Sequence, residues 1–159
     1  MSNLIRMILV FFGVFAALTT TAATARNVAA DVDQIAAVMK AGGKSAVVKS
    51  AGGERYVLSE TAGHQYAILA LGCNDDGNLC KSVQFFVALD PEKSPTFEAM
   101  NGFARELRWG RVYLDQEGEP VMEFDLDLER GGISQPLFLD NVAKWESIVS
   151  AYAKFVFGK

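Results

Sequence analysis

Residues 65–89 read QYAILALGCNDDGNLCKSVQFFVAL. Two apolar runs, Tyr66–Leu71 and Val83–Leu89, flank a polar stretch whose Asn-Asp-Asp-Gly-Asn core has strong turn chemistry. Each run is strand-length and bounded by turn residues, so the segment reads as two strands joined by a short loop, an antiparallel arrangement. Tyr66–Leu71 hardly alternates between apolar and polar residues, which predicts a central strand. Cys73 and Cys80 sit at the two ends of the loop. They are the only cysteines in the chain, and a disulfide between them would clip the two strands at the base of their loop. A zinc site would require two further ligands, and the one His, His64, lies outside the loop. A redox-active pair would have Cys-x-x-Cys spacing beside a helix start, which is absent.

Working outward toward the N-terminus, Ser45–Lys49, Arg55–Glu60 and Gln65–Leu71 are strand candidates. Ala51-Gly52-Gly53 and Ala62-Gly63-His64 separate them. Before them, Val28–Ala41 reads as a helix with Val32, Ile35, Ala36, Val38 and Met39 on one face. Asp31 or Asn27 would cap it and Gly42-Gly43 would end it. Toward the C-terminus, Ser82–Leu89 is followed by a break. Ser94-Pro95 then predicts an N-cap with Pro at the first helical position, and Phe97, Met100, Ala104 and Leu107 form the expected stripe. Trp109–Leu114 and Val121–Leu128 predict a second hairpin. In the latter, Met122, Phe124, Leu126 and Leu128 face one way and Glu123, Asp125 and Asp127 the other. Pro136–Phe157 is the longest helical pattern, with Phe138, Val142, Trp145, Val149, Tyr152 and Val156 recurring at spacings of four and three. The order α-β-β-β-β-α-β-β-α, with strands in runs and helices segregated, places the chain in the α+β class.

The extreme N-terminus reads differently. Arg6 precedes the apolar run Met7–Leu18, and Ala23-Thr24-Ala25 has small residues where a signal peptidase reads them. Residues 1–25 are therefore expected to be a signal peptide, leaving 26–159 as a single domain in the periplasm or outside the cell. The apolar run is shorter than the roughly 20 residues a membrane-spanning helix requires, so no stable anchor is expected after cleavage. The chain carries a formal charge of −4. Removing residues 1–25 takes away one Arg and no acid, which makes the remainder −5. A nucleic-acid binder would carry the opposite sign.

No catalytic or cofactor motif emerges. His64 reads as an exposed turn residue without an adjacent nucleophile. Gly43-Lys44-Ser45 resembles the end of a phosphate-binding loop, but Val38 stands where the first Gly belongs and the strand–helix order is reversed. The row Glu123, Asp125, Asp127, with Asp115 nearby, is expected to be a solvated sheet face. Arg105, Arg108 and Arg111 are close enough in sequence to pair with it. A cation or basic partner is the competing reading. Trp109 and Trp145 are expected to be packing anchors.

Several segments together resemble the YbjN domain family of bacterial sensory transduction regulators. They are Cys73…Cys80-Lys81-Ser82-Val83-Gln84-Phe85, Met100-Asn101-Gly102-Phe103, Arg108-Trp109-Gly110-Arg111-Val112-Tyr113-Leu114-Asp115, Asp125-Leu126-Asp127-Leu128, Gly131-Gly132-Ile133 and Trp145. Exported members with a paired-cysteine loop look most similar. The family often carries Asn-x-Trp-Asn, whereas here Phe103 replaces the Trp and Ala104 the second Asn. The resemblance implies a fold similar to type III secretion chaperones: a curved antiparallel sheet with helices on one side. It also implies a binding or regulatory module, with no catalytic residues to carry over and no cofactor. The expected function is a periplasmic protein-interaction, chaperone-like or regulatory role, with small-molecule sensing as the alternative. Gln84, Asn101, Arg108, Arg111, Tyr113, Asp125 and Asp127 are the candidate binding surface. Of these, Gln84, Asn101, Arg108 and Tyr113 are the residues expected to line a small-molecule pocket.

Overall fold

The computed structural model describes residues 27–77 and 79–158; the expected signal peptide lies outside them. The element order is α1 (Val32–Ala41), β1 (Val47–Ala51), β2 (Glu54–Thr61), β3 (His64–Leu71), β4 (Ser82–Ala88), α2 (Phe97–Glu106), β5 (Arg111–Leu114), β6 (Pro120–Asp127) and α3 (Gln135–Phe157). This is the expected α+β order. The six strands form one antiparallel sheet in the order β1-β2-β3-β4-β6-β5. β3 is an inner strand, as its sequence predicts.

Short turns set the register of the first three strands. Gly52 and Gly53 have φ of 60° and 87°, and Ala62 and Gly63 have 51° and 79°. Two successive positive φ values are the geometry of two-residue hairpin loops whose twist matches the strands they join. Cys73 and Cys80 are joined in a disulfide. Just inside it, the Lys81 amide donates to the Leu71 carbonyl at 3.0 Å, so the bridge closes the β3–β4 loop at its base.

All three helices cover one face of the sheet. Val57, Tyr66, Ile68, Val83, Phe85, Val87 and Met122 point into the core, where they meet Ile35 and Met39 of α1 and the buried stripe of α3. Trp145 is at the centre, fully buried, with ring centroids 5.7 Å from Phe85 and 6.0 Å from Tyr66. Burying such a side chain removes on the order of 200 Å² of largely apolar surface, about 5 kcal/mol of gross stabilisation. α2 joins this layer through Phe103, which stacks on Phe155 of α3 at 4.7 Å.

Several boundaries differ from expectation. α1 begins at Val32, not Val28, because the preceding residues have other partners. Val28 pairs with Ile133 and Ala30 with Cys80 in isolated bridges, and the Gln34 side chain holds the Ala29 amide and Asn27 carbonyl. Asp31 is the N-cap and accepts from the Gln34 amide at 2.8 Å. α2 is capped by Thr96 rather than Ser94, and begins at Phe97, beyond Pro95. Its inward face is Met100, Phe103 and Leu107; Phe97 is 73% exposed and Ala104 is exposed. β1 lies two residues later than expected, at Val47–Ala51. β5 starts at Arg111, since Gly110 is at φ 84° against the Glu123 carbonyl. His64 is not an exposed turn residue. It opens β3, half-buried, and its ring stacks on Phe157 at 5.3 Å. Trp109 is 43% exposed, with the cations of Arg108 and Lys144 over its ring at 5.3 and 4.6 Å; it is not a core anchor.

Candidate functional site

Since every helix lies on one face, the other face of the sheet is left uncovered by them. Pleating sends alternate residues there, and the strand register says which residues share each row. One row runs Lys49–Tyr56–Leu69–Gln84–Asp125 across β1, β2, β3, β4 and β6. The next runs Val47–Leu58–Ala67–Phe86–Glu123, with Arg111 of β5 opposite Glu123. The middle of this face is apolar. Val47 is 49% exposed, and Tyr56, Leu58, Ala67, Leu69 and Phe86 are half-buried.

A polar cluster borders that band on the β6–β5 side. Arg111 Nε donates to Glu123 Oε2 at 2.6 Å and its Nη1 to Asp125 Oδ2 at 2.6 Å. Gln84 Nε2 donates to Asp125 Oδ1 at 2.9 Å, and the Tyr113 hydroxyl to Glu123 Oε1 at 2.9 Å. Glu123 is buried, so its charge must be paired to stay there. Burial raises the Tyr113 hydroxyl above its usual pKa, and its bond to the Glu123 carboxylate raises it further. Desolvation pulls Arg111 downward, but its bonds and charge attraction to Asp125 and Glu123 outweigh that and raise it. Asp125 and Arg111 remain about half exposed, so their pair marks position more than it adds stability.

Of the seven expected surface residues, four meet here: Gln84, Arg111, Tyr113 and Asp125. Asp127 is on the same strand face, two residues along, where it accepts from the Glu129 amide at 2.9 Å. Asn101 is an exposed residue of α2, and Arg108 lies over Trp109; no bond joins either to the cluster. Arg111 alone of the three nearby arginines pairs with the acidic row. Asp115 instead closes the β5–β6 turn, accepting from the Glu117 and Glu119 amides. Glu123 and Asp125 are side by side on one strand, with their oxygens engaged by Arg111, Tyr113 and Gln84. That arrangement holds charge in place; it does not set two carboxylates across a cleft, as acid–base chemistry on a glycoside would require.

Lys49, Tyr56, Leu58, Leu69 and Phe86 were not singled out in the sequence. For Leu69 and Phe86 the signal was present in the weak alternation of β3 and β4. That pattern arises here because the second face is apolar yet uncovered. A separate open groove of about 1600 Å³ lies between the disulfide loop, the segment before α1 and the β1–β2 turn. Asp31, Arg55, Leu71, Asp76, Leu79 and Lys81 are among its lining; Gln84, Asn101, Arg108 and Tyr113 are not.

The YbjN family model, described as "Putative bacterial sensory transduction regulator", matches residues 31–157. No curated protein matches the chain.

Proposed function

The chain belongs to the YbjN family, and on that premise we propose that it is an exported, non-catalytic regulatory module that docks a protein on its open sheet face. The carrying observation is the uncovered apolar band of Val47, Tyr56, Leu58, Ala67, Leu69 and Phe86 beside an ordered charge cluster. An apolar centre with a polar border is the anatomy of a protein interface. The family description supports a regulatory role. The Cys73–Cys80 disulfide fits an oxidising compartment. Among the described residues no helix is long and apolar enough to cross a membrane, which is compatible with export followed by leader cleavage.

Cross-linking at native levels in periplasmic extract tests this reading. The wild-type chain is expected to give a discrete cross-linked product that Leu69→Arg abolishes without loss of fold. Absence of any product overturns the reading. So does recovery of the native chain from the cytosol with both thiols free and the leader attached.

The large open groove favours a second reading, small-molecule sensing at the disulfide loop. Ligand-induced shifts confined to Leu71, Leu79 and Lys81 in an NMR titration would select it over the sheet face.

A further inference from the structure

We infer that Arg108, Trp109 and Lys144 form a second docking surface, separate from the open sheet face, which takes an extended acidic segment of another protein. Tertiary structure makes the juxtaposition: Trp109 lies in the link from α2 to β5, and Lys144 comes from α3. The Arg108 guanidinium stands 5.3 Å and the Lys144 ammonium 4.6 Å from the centre of the Trp109 ring, so the two cations are within about 10 Å of each other. Like charges held this close repel, and the ring offsets only part of that. Lys44, Arg55, Lys81 and Arg111 each pair with a carboxylate, whereas Arg108 and Lys144 are in no ion pair among the described residues. The result is a positive site without a counter-charge on a chain of formal charge −4.

Local structure fixes this site in advance. On one side, the Leu107 amide donates to the Phe103 and Ala104 carbonyls and ends α2. On the other, Gly110 at φ 84° packs so close to β6 that a Cβ there would stand 2.6 Å from the Glu123 carbonyl oxygen. Trp109 is held between these two anchors and remains 43% exposed. Lys144 precedes Trp145, the fully buried centre of the core, so its backbone is fixed as well. A surface set before binding loses little freedom when a partner arrives.

The chemistry of the site selects its occupant. Two cations call for two carboxylates, and an exposed indole for an apolar side chain. In an extended peptide, alternate residues point the same way about 7 Å apart. Two carboxylates separated by one residue can therefore reach both cations. Leu137, 49% exposed, lies on the same side of α3 as Lys144, two turns earlier, and extends the apolar contact. A flat anionic membrane suits the site less well. Glu106 and Asp140, both exposed, lie two residues before Arg108 and one turn before Lys144, and their charges would be pressed against it.

An NMR titration of the cleaved, disulfide-bonded protein tests the inference. The probe is a short synthetic peptide of alternating Glu and Leu. It should move the Trp109 indole signal and the amides of Gly110 and Lys144, and leave the indole of the buried Trp145 in place. The same peptide with Gln for Glu should move none of them. Arg108→Ala and Lys144→Ala, neither residue being buried, should each weaken binding about threefold to fivefold. Lys144→Glu should abolish it, and Lys154→Ala, elsewhere on α3, should leave it unchanged. The Trp145 indole signal reports that each variant is folded.

Equal shifts from the Gln peptide, shifts that fall on Leu69 and Phe86 instead, or binding that survives Lys144→Glu overturn the inference. An equal response of the Trp109 signal to sodium acetate also overturns it, since the site would then read a lone anion. A response to phosphatidylglycerol vesicles with none to the peptide overturns it in favour of a membrane contact. None of these outcomes bears on the sheet face, which the Leu69→Arg cross-linking experiment tests separately.

Discussion

A Cβ on Gly132 would lie 2.1 Å from the carbonyl oxygen of Val28. The two segments exchange bonds there: the Val28 amide donates to Ile133 at 2.7 Å and the Ile133 amide to Val28 at 3.2 Å. Gly132 also sits at φ 72°, where a side chain is strained. Gly132→Ala must therefore push the N-terminal segment away from the sheet. We expect a loss of about 2–3 kcal/mol in urea unfolding, with faster amide exchange at Val28.

The Cys73–Cys80 disulfide closes a loop of sequence separation 7. Loop-closure entropy assigns such a cross-link about 2.5 kcal/mol. Reduction, or the double Cys→Ser variant, should lower the melting temperature accordingly. Amide exchange should rise first at Gly77 and Lys81, whose bonds to Asn74 and Leu71 lie within and at the base of the loop.

Glu123 accepts from both Arg111 and Tyr113. Glu123→Gln keeps the shape and removes the charge. Burial, the larger cause, still holds the Tyr113 pKa up, but the carboxylate's share disappears. Spectrophotometric titration should show the phenol moving down toward 10 without reaching it. Stability should fall by about 1–2 kcal/mol as Arg111 loses its buried partner.

Tyr66 and Tyr152 are both buried, and burial raises both hydroxyls well above their ordinary pKa. Their pairing differs. Tyr66 donates to Glu146 Oε1 at 3.1 Å, while the Tyr152 hydroxyl has no hydrogen-bond partner among the described residues. Tyr66→Phe should cost about 1 kcal/mol, and Tyr152→Phe should be neutral or slightly stabilising. A raised folded-state pKa means that the unfolded chain releases its proton first. The stability contributed by the neutral phenols is thus complete below about pH 10 and is lost progressively as the pH rises above it. Either Phe variant should flatten that alkaline decline in pH-dependent denaturation.

The element order, the disulfide and the buried stripe of α3 were legible in the chain's residues alone. Each rests on local information: turn residues, the period of apolar positions, and two thiols bracketing one loop. The start of α1 at Val32 was not legible, because Val28 and Ala30 are drawn away by Ile133 and Cys80, distant in sequence. The same holds for His64, whose partner Phe157 lies at the far end of the chain. The insertion of β6 between β4 and β5 emerges in the folded sheet, because strand pairing at that separation leaves no local signal. That insertion brings Asp125 beside Gln84 and sets Lys49 at the opposite end of their row. An apolar run records that a strand avoids water on both faces; it does not record which face the helices cover. Packing alone settles that, and it left Tyr56, Leu58, Leu69 and Phe86 on the uncovered face.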